Sequence, residues 1–349
     1  MNDRIGYIDI LKALAIVFVV MGHVLSWCYP NFVENLNNFS YNEIALWKII
    51  YSFHMPLFMF ISGMVVFNPL KQYGIKVVIK RIISYLIPFF VIGTLLTLYR
   101  GVYFDLWELL NRLWYFRTLS IFIIAIYFPL FIFQKLNYVN QRVHLLGITI
   151  VYYSLMRFFI PYIGSKSIII ESALDLSLWN GHISLYPFFL VGFLYRRIAL
   201  MRKFVENKYT YTMSIIVMFF FIIHPFYYTG VFSPTYTYIS YIAICLFLNV
   251  SIQLAKYIRA NEVLGKVGKQ TLDIYILHSF FATCVPAIGM LFTEIAKYGL
   301  RASISIQFFV ALPVTVIVIY LCLLLGQLIR DNNLLSFFCF GDLSIFKKV

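Results

Sequence analysis

The sequence predicts an all-α, polytopic integral-membrane bundle of about ten transmembrane helices, with both termini cytoplasmic. The first observation behind this is composition. The chain is 62% hydrophobic and 12% charged, and a soluble globular domain carries roughly twice that charged fraction. The second is that apolar stretches long enough to cross a bilayer recur along the whole length. The third is the placement of charge. The net charge is +14, but Lys and Arg crowd every second turn between the expected spans, as cytoplasmic loops do under the positive-inside rule. Those turns carry Lys71, Lys76, Lys80 and Arg81, then Lys135 and Arg142, then Arg196, Arg197, Arg202, Lys203 and Lys208, then Lys256, Arg259, Lys266 and Lys269. The opposite loops are short, rich in aromatics and near charge balance. The basic excess therefore reports topology, and no nucleic-acid partner is expected.

The expected spans are 7–28, 45–67, 77–99, 113–134, 144–162, 183–199, 210–228, 236–256, 271–293 and 303–328. The sixth is short and the fifth carries Arg157. The first is not expected to be a cleaved leader, because Asp9 and Lys12 interrupt its apolar run and VLSWCYP has no small-residue cleavage pattern. No internal repeat is evident, so residues 1–330 are expected as one membrane domain and 331–349 as a short cytoplasmic tail. Cys28, Cys245, Cys284, Cys322 and Cys339 have no paired spacing and read as small apolar packing residues, not disulfides or metal ligands. Catalysis, if present, must then be built from helices and their ends.

The first helix carries the densest chemistry. Lys12 and His23 are separated by ten mostly apolar residues. Eleven steps of helix make about three turns, which places both side chains on one stripe roughly 16 Å apart along the axis. Asp9 stands one turn before Lys12 on nearly the same stripe. Ionisable groups at membrane depth are costly unless they face a partner or a wet cavity, so this stripe is a candidate functional site. His23, near the outer end, has the chemistry to take a proton from a hydroxyl. Lys12 lies near the cytoplasmic boundary and also has a bland reading, as a side chain snorkelling to the headgroups.

In the second span, His54 is expected at a depth similar to His23, in a helix where Pro56 frees the backbone carbonyl near Ser52. Ser62 and Gly63 there allow close helix approach. Lys80 and Arg81 open the third span at the cytoplasmic face; they are either topology determinants that touch lipid phosphates or contacts for the phosphates of a nucleotide-bearing donor. Trp114 and Arg117 lie in LWYFRTL at an outer boundary, as part of an interfacial aromatic belt or of a surface that covers a sugar ring. In GKQTLDIYILHSFF, Thr271 is a cap candidate, Asp273 complements the helix dipole, and His278 reads as a packing or helix-contact residue in the cytoplasmic half.

The order of these segments resembles the membrane acyltransferase-3 family, in particular its short members of the sugar O-acetyltransferase, fucose 4-O-acetylase-like type. The segments are YIDILKALAIVFVVMGH, FHMPLFMFISG, a basic-start span, LWYF, YPFFLVGFLYRR and GKQTLDIYILHSFF, and they cover nearly the whole chain. The resemblance implies an O-acetyltransferase of a bacterial inner (plasma) membrane. It would move an acyl group, usually acetyl, from cytoplasmic acyl-CoA to a hydroxyl of a cell-envelope or secreted glycan or lipid-linked sugar, using acetyl-CoA as co-substrate and no bound cofactor or metal. It maps the family's basic-residue and histidine motif onto Lys12 and His23, with His23 catalytic, and the donor-binding basic cluster onto Arg81 and Lys80. Ser84 stands where many relatives carry a second arginine. His54, Asp9, Trp114 and Arg117 are expected to support the site or bind the acceptor. Larger relatives add a soluble esterase-like domain, which is not expected here. Two alternatives stay open: a transporter or flippase of a glycan intermediate lined by the same stripe, and a succinyl instead of an acetyl transferase.

Overall fold

Runs of apolar residues with few breakers give long helices, and prolines, glycines and buried hydroxyls decide where those helices bend and touch. The computed structural model describes residues 6–73, 75–99, 113–135, 183–223 and 234–343, and every regular element among them is helical. In chain order these are α1 (Gly6–Trp27), α2 (Phe32–Asn35), α3 (Ala45–Tyr51), α4 (His54–Tyr73), α5 (Ile75–Tyr99), α6 (Trp114–Lys135), α7 (Tyr186–Arg197), α8 (Ala199–Val205), α9 (Lys208–Ile223), α10 (Pro234–Leu254), α11 (Ile258–Lys269), α12 (Thr271–Phe281), α13 (Pro286–Ala296), α14 (Leu300–Arg330) and α15 (Asn333–Phe340).

Among the described residues, five stretches are long and apolar enough to cross a membrane: Gly6–Trp27, Ala45–Val66, Val78–Tyr99, Tyr236–Leu254 and Leu300–Arg330. The expected span 271–293 is instead two helices, α12 and α13, bent by 91° at a short break. Pro286 at the start of α13 is the physical reason: it holds Val285 extended, at φ −72° and ψ 128°, and stops α12 from continuing. The expected span 144–162 lies outside the described residues.

The chain divides into two compact units, Met1–Phe58 with Leu200–Leu328 and Met59–Ala199 with Ile329–Val349. In the first unit, α1 is buried on nearly all sides, as its all-round apolar sequence demands. α14, by contrast, leaves Phe309, Val316, Ile317 and Tyr320 exposed as an apolar flank. α11 crosses α1 so closely that a Cβ built on Gly268 would lie 1.8 Å from the carbonyl oxygen of Asp9. Only glycine permits that approach. Phe18, Phe53 and Phe247 form an aromatic knot with ring centroids 5.0–5.1 Å apart, joining α1, the α3–α4 junction and α10.

The expected effect of Pro56 is visible at that junction. Helix α3 ends at Tyr51 and α4 begins at His54. The Ser52 carbonyl, which Pro56 leaves without its N–H partner, accepts a 2.6 Å hydrogen bond from the fully buried Ser240 hydroxyl of α10. The segment before α3 is held by Gln307 of α14. Its amide donates to the carbonyls of Asn42 (2.9 Å) and Glu43 (2.8 Å), and its carbonyl accepts from the Leu46 N–H (3.0 Å).

In the second unit, Gly63 of α4 and Gly192 of α7 meet reciprocally. A Cβ on Gly63 would lie 1.9 Å from the Phe189 carbonyl oxygen, and one on Gly192 the same distance from that of Phe60. Ser62 reaches the Tyr115 hydroxyl of α6 at 2.5 Å. The segment after residue 330 carries α15, opened by Asn332, whose side chain accepts from the N–H groups of Leu334 (3.0 Å) and Leu335 (3.1 Å). Gly341 ends it in the left-handed region, at φ 63°, and lies against the Ser84 carbonyl of α5. That carbonyl is the one Pro88 frees within α5.

Candidate active site

The α1 stripe forms as its spacing requires. Lys12 Nζ lies 3.6 Å from Asp9 Oδ1, one turn earlier, with Asp9 buried and the Lys12 side chain 20% exposed. Asp9 is also the residue whose backbone α11 abuts through Gly268, so the ion pair sits at a close helix crossing. Toward His23 the stripe closes. Ala15 and Ile16 are 0% exposed and Val19 1%, which separates a half-buried Lys12 from a half-buried His23 by packed helix.

His23 has a partner that lies 255 residues away in sequence. His23 Nδ1 is 2.7 Å from His278 Nε2. The rings lie within 4° of parallel with centroids 4.9 Å apart. That centroid separation exceeds the nitrogen separation by about two ring radii, so the imidazoles meet edge to edge in a common plane, the geometry of an in-plane hydrogen bond. The other end of His278 is fixed by its own helix: Nδ1 donates to the carbonyls of Tyr275 (2.8 Å) and Ile274 (3.1 Å). His23 is braced from its own helix by Trp27, one turn on, with centroids 5.4 Å apart and planes 7° apart.

The sequence reading of His278 as a packing or helix-contact residue holds: it contacts another helix, α1. The sequence did not show which residue it contacts: His278 meets His23. Thr271 is not an N-terminal cap; its hydroxyl donates to the Gly268 carbonyl at 2.6 Å and ties α12 to α11. Asp273 lies in the first turn of α12, as expected, and is buried against Gly326 of α14.

His54 is buried, and its Nδ1 donates to the Ile50 carbonyl at 3.0 Å. The Tyr51 ring, 4.4 Å from that of His54, lies on its other side against Gly22, next to His23 in α1. The four remaining candidates belong to the second unit. On α5, Lys80 is exposed and Arg81 half-buried. On α6, Trp114 and Arg117 are half-buried, and the Trp114 ring packs edge-on to Tyr115, 6.4 Å between centroids. Tyr115 and Phe116 are buried, so of this aromatic run only Trp114 keeps an accessible face.

A membrane protein that carries a hydrogen-bonded histidine pair and, about three turns away on the same helix, a lysine–aspartate pair has the elements of base-assisted group transfer. The comparison with known families decides the class: the family model described as an acyltransferase domain, that of the acyltransferase-3 family, matches residues 5–325. The chain belongs to the acyltransferase-3 family. No curated protein and no solved structure matches it. In this acyltransferase, both stripe residues that the resemblance singled out, Lys12 and His23, lie on α1, a largely enclosed spanning helix. His278 was the functional candidate that sequence reasoning missed; a histidine four residues before a break marked only by a later proline was its one available signal.

Proposed function

We propose that this acyltransferase moves an acyl group, most simply acetyl, from cytoplasmic acyl-CoA to a hydroxyl of a cell-envelope or secreted glycan, with His23 as general base. The observation that carries the reading is the His23–His278 contact at 2.7 Å, which gives the family's motif histidine a fixed orientation on an enclosed membrane helix. The acceptor hydroxyl gives its proton to a His23 ring nitrogen as its oxygen attacks the thioester carbonyl. The tetrahedral intermediate then expels coenzyme A thiolate, which takes that proton, and the acyl ester forms. Lys12, already paired with Asp9, supplies positive charge on the donor side of the stripe. Lys80 and Arg81 are proposed to hold donor phosphates, and His54, Trp114 and Arg117 to support the site or the acceptor. The setting is a plasma membrane crossed about ten times, with both termini cytoplasmic, a topology supported by the Lys and Arg distribution.

Mass spectrometry of surface glycans from cells with and without the protein tests this. An acetyl increment that depends on the protein is the expected result, and a succinyl increment would keep the class but change the donor. Identical glycans, with a lipid-linked intermediate stranded on the cytoplasmic side, would favour a transporter.

A further inference from the structure

We infer that His278 is a positioning residue that holds His23 in the Nδ1–H tautomer and so leaves Nε2 as the basic nitrogen. The inference rests on the proposed role of His23 and adds which nitrogen acts and what selects it. The argument runs inward from the backbone. His278 Nδ1 lies 2.8 Å from the Tyr275 carbonyl oxygen and 3.1 Å from that of Ile274. Carbonyl oxygens only accept, so Nδ1 carries the hydrogen. In a neutral ring Nε2 is then a bare acceptor, and the atom 2.7 Å from it, His23 Nδ1, must donate. Neutral His23 has one ring hydrogen, and with it on Nδ1 the lone pair is on Nε2.

Free histidine prefers the opposite tautomer, so this form of His23 is imposed by the site. Three features keep it imposed. The rings share a plane to within 4°, which aligns the N–H with the lone pair. Trp27 lies parallel to the His23 ring, within 7°, and opposes its rotation. His278 is buried to 2% exposure on the last turns of α12, so its ring cannot swing to offer another atom. The selection is the one made by the carboxylate of a serine-protease triad, built here from a second imidazole and a helix turn; in that system the wrong tautomer lowers the rate about 10,000-fold.

The test reads the tautomer directly and does not depend on turnover. With ¹⁵N-labelled histidine in lipid nanodiscs, the spectrum resolves protonated from bare ring nitrogens; the chain has six histidines, and the signal lost in His23→Gln assigns His23. The wild type is expected to show His23 protonated at Nδ1 and bare at Nε2. In His278→Ala it should shift toward the Nε2–H form. In His278→Gln, whose side-chain carbonyl can accept in place of the imidazole nitrogen, the Nδ1–H form should persist. Kinetics follow the same order: His278→Ala should lower kcat by about 10-fold or more, up to the roughly 10,000-fold of losing a general base, at unchanged donor KM, with much of the loss recovered in His278→Gln. A wild-type His23 protonated at Nε2, or at both nitrogens at neutral pH, overturns the inference, and so does a His23 tautomer unaffected by His278→Ala. Should the tautomers behave as expected while His23→Gln transfers acyl groups normally, the proposed role of His23 fails and the pairing stands.

Discussion

Gly268→Ala places a methyl group where Asp9 already has its carbonyl oxygen. The built Cβ lies 1.8 Å from that oxygen and 2.5 Å from its carbon, both backbone atoms that no side-chain rotation can move aside. Ordinary contact begins at 3.4 Å, so α11 and α1 must part by about 1.6 Å, and overpacking of this kind costs about 1–3 kcal/mol. The displacement reaches the site through Thr271, whose 2.6 Å bond to the Gly268 carbonyl couples α12, and with it His278, to α11. A 2.7 Å contact does not survive a shift of that size as a hydrogen bond, and misplacing reacting groups by about 1 Å can cost about 100-fold in rate. Gly265 in the same helix is the matched control, since a Cβ there meets nothing within 4 Å. Gly265→Ala should gain up to about 1 kcal/mol of helix propensity with no loss of rate. The assay is acyl transfer per unit of membrane-inserted protein, with thermal inactivation measured alongside. Equal rates and stabilities for the two variants would refute the claim that the α1–α11 crossing positions the site.

Three further outcomes are expected. Ser240→Ala removes the donor that satisfies the Ser52 carbonyl and should cost about 1 kcal/mol, within the range of interhelical hydrogen bonds in membranes; an unchanged thermal midpoint would show that the carbonyl has another donor. Replacing Lys80 and Arg81 together with alanine should raise the donor KM, with reduced salt sensitivity, in a variant whose orientation is verified; an unchanged KM would return them to the headgroups. Cysteine labelling should place Lys80, Arg197 and Lys266 on the cytoplasmic side, and an external Arg197 would overturn the ten-span topology.

What was legible in the sequence was local and periodic. The Asp9–Lys12–His23 stripe follows from helix geometry, and the Asp9–Lys12 pair forms as i,i+3 spacing allows. Pro56 correctly marked a freed carbonyl, and Ser62 with Gly63 a close approach. Their partners were not legible, because Ser240, Gly192 and Gly268 become partners only through helix crossings between distant segments. The histidine pair was hidden for the same reason and for one more: hydropathy runs smoothly through FATCVPAIGML, so the 91° bend after α12 left no signal except Pro286. An apolar window reports that a segment is greasy, not that it is straight.

The most direct test of the central claim is acyl incorporation into surface glycans by membranes holding equal amounts of wild-type and His23→Ala protein, supplied with labelled acetyl-CoA. Loss of a general base predicts incorporation about 100- to 10,000-fold lower in the variant, at normal insertion. Incorporation at the wild-type rate by a well-inserted His23→Ala protein would contradict the account.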